Sequence, residues 1–328
     1  MFFDNHNRPI NYLRLAVTDR CNLRCTYCMP EDGLEWLHRN EVMRYEEMLR
    51  ICTLMVKMGI DKIRITGGEP FARKDIMLFI SELAKLNGLK KINLTTNGVL
   101  TAPYIPEFKK LKISSCNLSL DTLNRERFFE ITRRDELQEV LKTMDALLAN
   151  DIEVKVNAVV MNGVNSDEIA AMVALTKDLP IAMRFIEEMP FNGEGNDYSG
   201  ILWNHTKILN EIKRSFPAIY KIKDPENSTA LNYHIPNHKG TVGIIAAYTR
   251  SFCGTCNRIR LTPEGSLRTC LYGDSVLNVK DMMRNGFSDD EMSVLLQQAF
   301  QNRAKDGWEA EKKRKAKGVF ESMAMIGG

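Results

Sequence analysis

What the 328-residue chain lacks narrows the field first. No apolar run approaches the ~18–20 residues that a helix needs to cross a bilayer, so no membrane partner is expected. The amino-terminal stretch MFFDNHNRPI carries no signal-peptide pattern. The net charge is only +3, which argues against a general nucleic-acid binder but leaves room for local basic pockets around an anion. Internal repeats beyond a β/α alternation and long low-complexity tracts are absent too. What is left reads as a cytoplasmic protein of ordinary globular composition, 44% apolar and 27% charged. Its length suits one large domain with a smaller one. In that compartment its eight cysteines read as metal ligands before disulfides.

A fourth cysteine is also missing, twice. Thr18–Gly33 reads TDRCNLRCTYCMPEDG, with Cys21, Cys25 and Cys28 spaced C-x3-C-x2-C. Cys253, Cys256 and Cys270 form a second set far along the chain. A structural zinc closes its tetrahedron with four protein ligands, and an ordinary cubane cluster takes four cysteines. Three thiols leave one metal position open, and an open position is where chemistry can take place. A zinc site completed by a distant residue stays as an alternative for the first set. His234 or His238 of HIPNH could complete one in the second. An open cluster iron that takes a substrate is the other reading there. Arg258 and Arg260 of CNRIRLT follow directly, on one face of an extended segment, and paired guanidinium forks suit an anion. Cys52 in LRICTLMVKMG and Cys116 in ISSCNLSL read as small core residues.

From Tyr12 to about Glu187, β-branched runs alternate with helical patterns. The expected strands are YLRLAVT, KIRIT, KINLTT, CNLSLD, VKVNAVV and IAMRFIE; helices are expected over Tyr45–Met58, Asp75–Leu86, Glu136–Asn150 and Ser166–Lys177. Such βαβ units imply a parallel sheet, as an open partial barrel or a doubly wound sheet, with function at the C-terminal strand ends. Arg14, Arg64, Lys155 and Arg184 each stand between apolar neighbours, so alternation puts them on the opposite face, the lumen of a barrel. Buried cations of one sign either pair with lumenal acids or share a polyanionic ligand such as a polyphosphate. RITGGEP ends the second strand: Gly67 and Gly68 let backbone approach a ligand closely, and Glu69 can receive an ammonium group. After Pro190 the regularity ends. FNGEGNDYSG reads as a loop that divides residues 1–190 from 191–328. Beyond it come a helix near Trp203–Ser215, a strand TVGIIAAY, the second cysteine set, and a helical end with a basic KKRKAK run that reads as a solvated face.

The C-x3-C-x2-C loop with Tyr27 before its last cysteine, followed one βα unit later by GGEP, resembles the radical S-adenosylmethionine superfamily. With TTNG, LSLD, VKVN, RFIE, FCGTCNRIRLT and a terminal Gly-Gly, the chain from about Leu13 onward resembles the GTP 3′,8-cyclase family, also called molybdenum cofactor biosynthesis protein A. That resemblance implies an α/β fold: an incomplete (βα)6 TIM-like barrel whose open side is closed by a C-terminal iron–sulfur domain. It implies radical cyclisation of GTP to (8S)-3′,8-cyclo-7,8-dihydroguanosine 5′-triphosphate, the first step of molybdopterin synthesis. Two [4Fe-4S] clusters and S-adenosylmethionine are the implied cofactors. GTP, an external electron donor, the next enzyme of molybdopterin synthesis and a second copy of the chain are the implied partners.

By the same resemblance, Cys21, Cys25 and Cys28 hold the S-adenosylmethionine cluster, with Tyr27, Gly68, Glu69, Ser119 and Met189 around the cofactor. Arg14, Arg64, Thr95, Lys155, Arg258, Ile259 and Arg260 contact GTP. Cys253, Cys256 and Cys270 hold the second cluster, whose open iron takes the guanine. Arg184, Gly327 and Gly328 support the radical step. Two other readings stand beside this one. A radical enzyme with an auxiliary cluster could act on a peptide or other small molecule. A non-catalytic iron–sulfur electron carrier would need neither GGEP nor a cationic lumen.

Overall fold

The computed structural model describes residues 2–191, 201–314 and 321–327. The FNGEGNDYSG loop past Phe191, the end of the KKRKAK run and Gly328 lie outside the described residues.

A short hairpin of β1 (Phe2–Phe3) and β2 (Pro9–Ile10) leads into the alternating region. Its strands are β3 (Tyr12–Ala16), β4 (Lys62–Thr66), β5 (Lys91–Thr96), β6 (Ile113–Ser119), β7 (Glu153–Val160) and β8 (Ala182–Glu187). They pair in chain order and run parallel. The covering helices are α1 (Tyr45–Lys57), α2 (Ile76–Ala84), α3 (Arg125–Thr132), α4 (Leu137–Ala149) and α5 (Ile169–Asp178). Leu13, Leu15, Ile63, Ile65, Val154, Val156, Met183 and Phe185 are fully buried, facing the helix layer as strand alternation requires. Between β5 and β6 the chain makes two 3₁₀ turns, Ala102–Glu107 and Lys109–Leu111, and not an α-helix. Pro103 and Pro106 remove backbone donors there, which disfavours a longer helix.

The six strands form the partial barrel, and among the described residues the sheet does not close on itself. Its two edges are occupied from the other end of the chain. After α6 (His205–Ser215) come β9 (Tyr220–Lys221), β10 (Ala230–His234) and β11 (Thr241–Ile245), and β11 pairs parallel with β8. On the opposite edge β12 (Arg258–Leu261) pairs parallel with β3, setting Arg260 opposite Arg14, which is itself opposite Arg64. β13 (Ser266–Arg268) and β14 (Leu277–Asn278) continue antiparallel from β12. The C-terminal residues thus lengthen the barrel sheet at both ends, satisfying edge N–H and C=O groups that a six-strand sheet would leave unpaired. Helices α7 (Val279–Arg284), α8 (Asp289–Gln301) and α9 (Gly307–Lys312) follow, and α10 (Met323–Ile326) brings the chain end back to the strand tips. No helix is long and apolar enough to cross a membrane among the described residues.

Candidate functional site

The first cysteine loop leaves β3 at its C-terminal end. The N–H groups of Cys28 and Met29 both donate to the Cys25 carbonyl in a tight turn, and all three cysteines line one cavity. The glycine turn after β4 packs on this loop. A β-carbon at Gly67 would come within 2.6 Å of the Thr18 carbonyl oxygen, and one at Gly68 within 2.4 Å of that of Arg20. Gly68 N–H donates to Thr18 O (2.7 Å) and Glu69 N–H to Arg20 O (2.8 Å). The glycines therefore seat the cysteine loop, and both also line the cavity above it. The Glu69 side chain is fully buried behind the cavity wall, accepting from Phe71 N–H, Thr96 Oγ1 and Asn97 N–H. These three donors tie the end of β5 to the glycine turn, a structural role beside the one that the motif suggests.

The main cavity, of roughly 270 Å³, opens at the C-terminal ends of the parallel strands. Thirteen residues singled out from sequence line it: Arg14, Cys21, Cys25, Tyr27, Cys28, Gly67, Gly68, Thr95, Ser119, Arg184, Met189, Arg258 and Arg260. Asn117 Oδ1, Asn157 Oδ1 and Arg184 Nε, all on lining residues, are buried with no hydrogen-bond partner among the described residues. Unsatisfied polar atoms beneath a cavity wall suit a polar occupant. A smaller cavity of about 80 Å³ holds Cys253, Cys256 and Cys270, and Arg258 and Arg260 belong to the walls of both. The histidine alternative for this set does not assemble: His238 bonds Thr176 Oγ1 (2.8 Å), His234 packs on Tyr220, and neither lines the cysteine cavity.

Charge separates the two sets. Burial, with Glu69 and Cys28 nearby, pushes the Cys21 thiol up to about 12, and burial pushes Cys28 up to about 11. Burial and Asp121 also drive Cys25 well above the usual range. Asp121 lines the cavity, receives the Tyr27 hydroxyl at 2.9 Å and Val159 N–H at 2.8 Å, and is itself pushed up to about 6 by burial. In the second set burial acts on Cys256 too, but the charges of Arg258 and Arg303 overcome it and hold this thiol down at about 6. Arg258 and Arg303 reach Cys256 Sγ at 3.5 and 3.6 Å. Three thiols beside each open cavity fit a cubane cluster with one free iron in both places.

The four lumenal cations divide. Arg14 and Arg184 line the cavity; burial lowers each to about 10. Arg64 and Lys155 lie below it and are already bonded within the protein. Arg64 donates to the Tyr12 hydroxyl (2.6 Å) and to the carbonyl of Leu94 (2.5 Å), and Lys155 pairs with Glu153 (2.8 Å) and Ser115 Oγ (3.1 Å). For Lys155 the acid-pairing alternative holds. Ile259 corrects another expectation: alternation turns its side chain into the core, fully buried, so only its backbone is left to meet a ligand.

The chain end reaches the site. Ser322 caps α10 and its hydroxyl donates to the Cys28 carbonyl (2.5 Å), while Gly327 O accepts from Arg260 Nη1 (2.6 Å). At Gly327, φ is +77°, and a β-carbon would sit 2.8 Å from that of Ala16. Residues missed in sequence include Asp121, Asn97, whose amide is 3.6 Å from Cys21 Sγ, and Glu187, which receives Thr249 and His205. All three stand inside motifs already picked out, LSLD, TTNG and RFIE, where a polar residue at a strand's C-terminal end was the available signal.

Comparison with known proteins agrees with this geometry. Residues 15–176 match the Radical SAM superfamily and residues 181–308 match Molybdenum Cofactor Synthesis C. A GTP 3′,8-cyclase of Desulforamulus reducens is 40% identical over 93% of this chain and 96% of that protein. One of Peptoclostridium acidaminophilum is 42% identical over 87% and 88%. Molybdenum cofactor biosynthesis protein 1 of Dictyostelium discoideum is 40% identical over 90% of this chain, which spans about half, 48%, of that longer protein. Among solved structures, Streptococcus suis SuiB (TM-score 0.62, 14% identity, 98% of this chain, 78% of that one) and anSMEcpe with bound AdoMet (0.59, 18%, 95% and 94%) share the fold. By sequence, then, the chain belongs to the GTP 3′,8-cyclase family of radical S-adenosylmethionine proteins.

Proposed function

We propose that this chain catalyses the S-adenosylmethionine-dependent radical cyclisation of GTP to (8S)-3′,8-cyclo-7,8-dihydroguanosine 5′-triphosphate, the first step of molybdopterin synthesis. The carrying observation is that two three-thiol sites open on cavities with a shared arginine wall, Arg258 and Arg260. When bound and reduced, the cluster at Cys21, Cys25 and Cys28 supplies the electron that cleaves S-adenosylmethionine to methionine and a 5′-deoxyadenosyl radical. The chain's part is positioning. Asp121 and the Tyr27 hydroxyl it holds offer an anionic wall to a sulfonium. Arg14, Arg184, Arg258 and Arg260 offer guanidinium donors to a triphosphate. Cys253, Cys256 and Cys270 would hold a second cluster, which would supply an open iron position for the base. Met323 and Ala324 of the chain end line the cavity, and Gly327 is fixed to Arg260, so the tail would help to orient a bound substrate.

An external electron donor, a homodimer and hand-over to the next enzyme of the route belong to the same reading. The test is anaerobic reconstitution with iron and sulfide, followed by GTP binding and product analysis. Binding of GTP with formation of a cyclised nucleotide supports the assignment. S-adenosylmethionine cleavage without any GTP binding contradicts it and favours a radical enzyme for a peptide or other small molecule.

A further inference from the structure

Arg303 lies in no motif and some fifty residues beyond the CxxC pair, yet it reaches all around the second cysteine set. Its side chain is almost wholly buried. Nε donates to Thr269 O (3.2 Å), next to Cys270; Nη1 donates to Cys256 O (3.1 Å) and pairs with Asp4 Oδ2 (3.1 Å); Nη2 donates to Arg258 O (3.1 Å) and reaches Cys256 Sγ (3.6 Å). Asp4, with no exposed side-chain surface, also holds Arg8 Nε (2.7 Å). Arg8 in turn donates to Cys253 O (3.1 Å), Ala304 O (2.8 Å) and Lys305 O (2.7 Å). Two guanidinium forks on one buried carboxylate thus grip main chain at or beside all three cysteines. One carboxylate cannot neutralise two guanidiniums, so a net positive charge is left facing the thiols.

We propose that Arg303 is a positioning residue of the second cluster, holding the cysteine loops in ligating geometry and, through its N–H at Cys256 Sγ, setting that cluster's reduction potential. The inference rests on the reading that Cys253, Cys256 and Cys270 hold a cluster. Positive charge and N–H···S contacts favour the reduced, more negative state, so they raise the potential. Only the planar fork serves four acceptors and a carboxylate at once; a lysine in its place keeps the charge and loses the fork.

The experiment is an EPR-monitored redox titration of the full-length, anaerobically reconstituted chain. S-adenosylmethionine marks the first cluster's signal and GTP the second. In Arg303→Gln the second midpoint shifts to more negative potential, changing its reduced-to-oxidised ratio about tenfold at a fixed potential, or ~59 mV for one electron. The first midpoint does not move. Arg303→Lys shifts less. If Arg303→Gln loads the first cluster and not the second, and Arg303→Lys restores loading with a shifted midpoint, the proposal stands. Either variant fully loaded with an unchanged second midpoint overturns it, and so does loss of both clusters together, which makes Arg303 a general fold contact. A wild-type chain with iron and sulfide for only one cluster overturns the underlying reading, and the role of Arg303 falls with it; this outcome is seen before any variant is made.

Discussion

Around Cys21, Cys25 and Cys28 the neighbouring charges are carboxylates, Glu69 and Asp121; around Cys253, Cys256 and Cys270 they are the guanidiniums of Arg258, Arg260 and Arg303. The thiol count is equal and the field is opposite. A site with an acidic surround disfavours further negative charge, so it suits a cationic ligand such as a sulfonium. Beside the arginines only Cys256 is held low as thiolate, while burial still raises Cys253 and Cys270; the guanidinium wall itself suits an anion such as a triphosphate. The difference supports the proposed arrangement, with the sulfonium toward the acidic set and the triphosphate toward the arginines.

The sharpest way to break this comparison is to exchange one thiol at each site. Cys25→Ser should abolish 5′-deoxyadenosine formation on dithionite reduction and leave the second cluster's EPR signal in place. Cys256→Ser should do the reverse, keeping cleavage of S-adenosylmethionine and losing the cyclised product. Identical behaviour of the two variants would erase the division of labour.

Arg260→Ala probes the arginine side. A lost charge-assisted hydrogen bond costs roughly 1.5–3 kcal/mol, so GTP should bind roughly ten- to a hundredfold more weakly while S-adenosylmethionine binds as before. Isothermal titration under nitrogen with each ligand separates the two effects.

Gly327→Ala tests the docked chain end. The positive φ and the contact with Ala16 make any β-carbon there cost about 1–2 kcal/mol, enough to loosen the tail from Arg260. Product formed per 5′-deoxyadenosine should fall severalfold with both clusters retained; an unchanged ratio would show that the tail has no part in coupling.

The smallest effect concerns pH at the acidic site. Burial raises Asp121 to about 6, so it is charged above that pH and neutral below it. Affinity for S-adenosylmethionine should therefore drop a few-fold from pH 7 to pH 5, and Asp121→Asn should flatten the dependence near the low-pH value. A slope that survives in the variant would assign the titration to another group.

Much of this was legible in the sequence wherever the signal was local. The six alternating strands and the helices between them fell within a few residues of their expected places, because period-2 and period-3.6 patterns are local. Of the four cations that alternation set apart, Arg14 and Arg184 line the cavity. The pairing of Lys155 with Glu153 was legible too, since residues two apart on a strand share a face. What could not be read was pairing between distant segments. Nothing near Thr241 or Arg258 says that these strands flank opposite edges of the barrel. Nor does anything near Asp4 point to a guanidinium 299 residues away. The bonds that Glu69 makes to Thr96 and Asn97 were likewise beyond reach, because they join the ends of two strands far apart in sequence.

The central claim is that the radical made at the acidic end acts on the sugar of a nucleotide held at the basic end. A 3′,8 bond can form only if hydrogen leaves C3′, so GTP labelled with deuterium at C3′ is the direct probe. Incubated anaerobically with the reconstituted chain, S-adenosylmethionine and reductant, it should transfer that deuterium to 5′-deoxyadenosine, detected as a one-unit mass increase alongside the cyclised product. Unlabelled 5′-deoxyadenosine formed while labelled GTP is consumed would contradict the account.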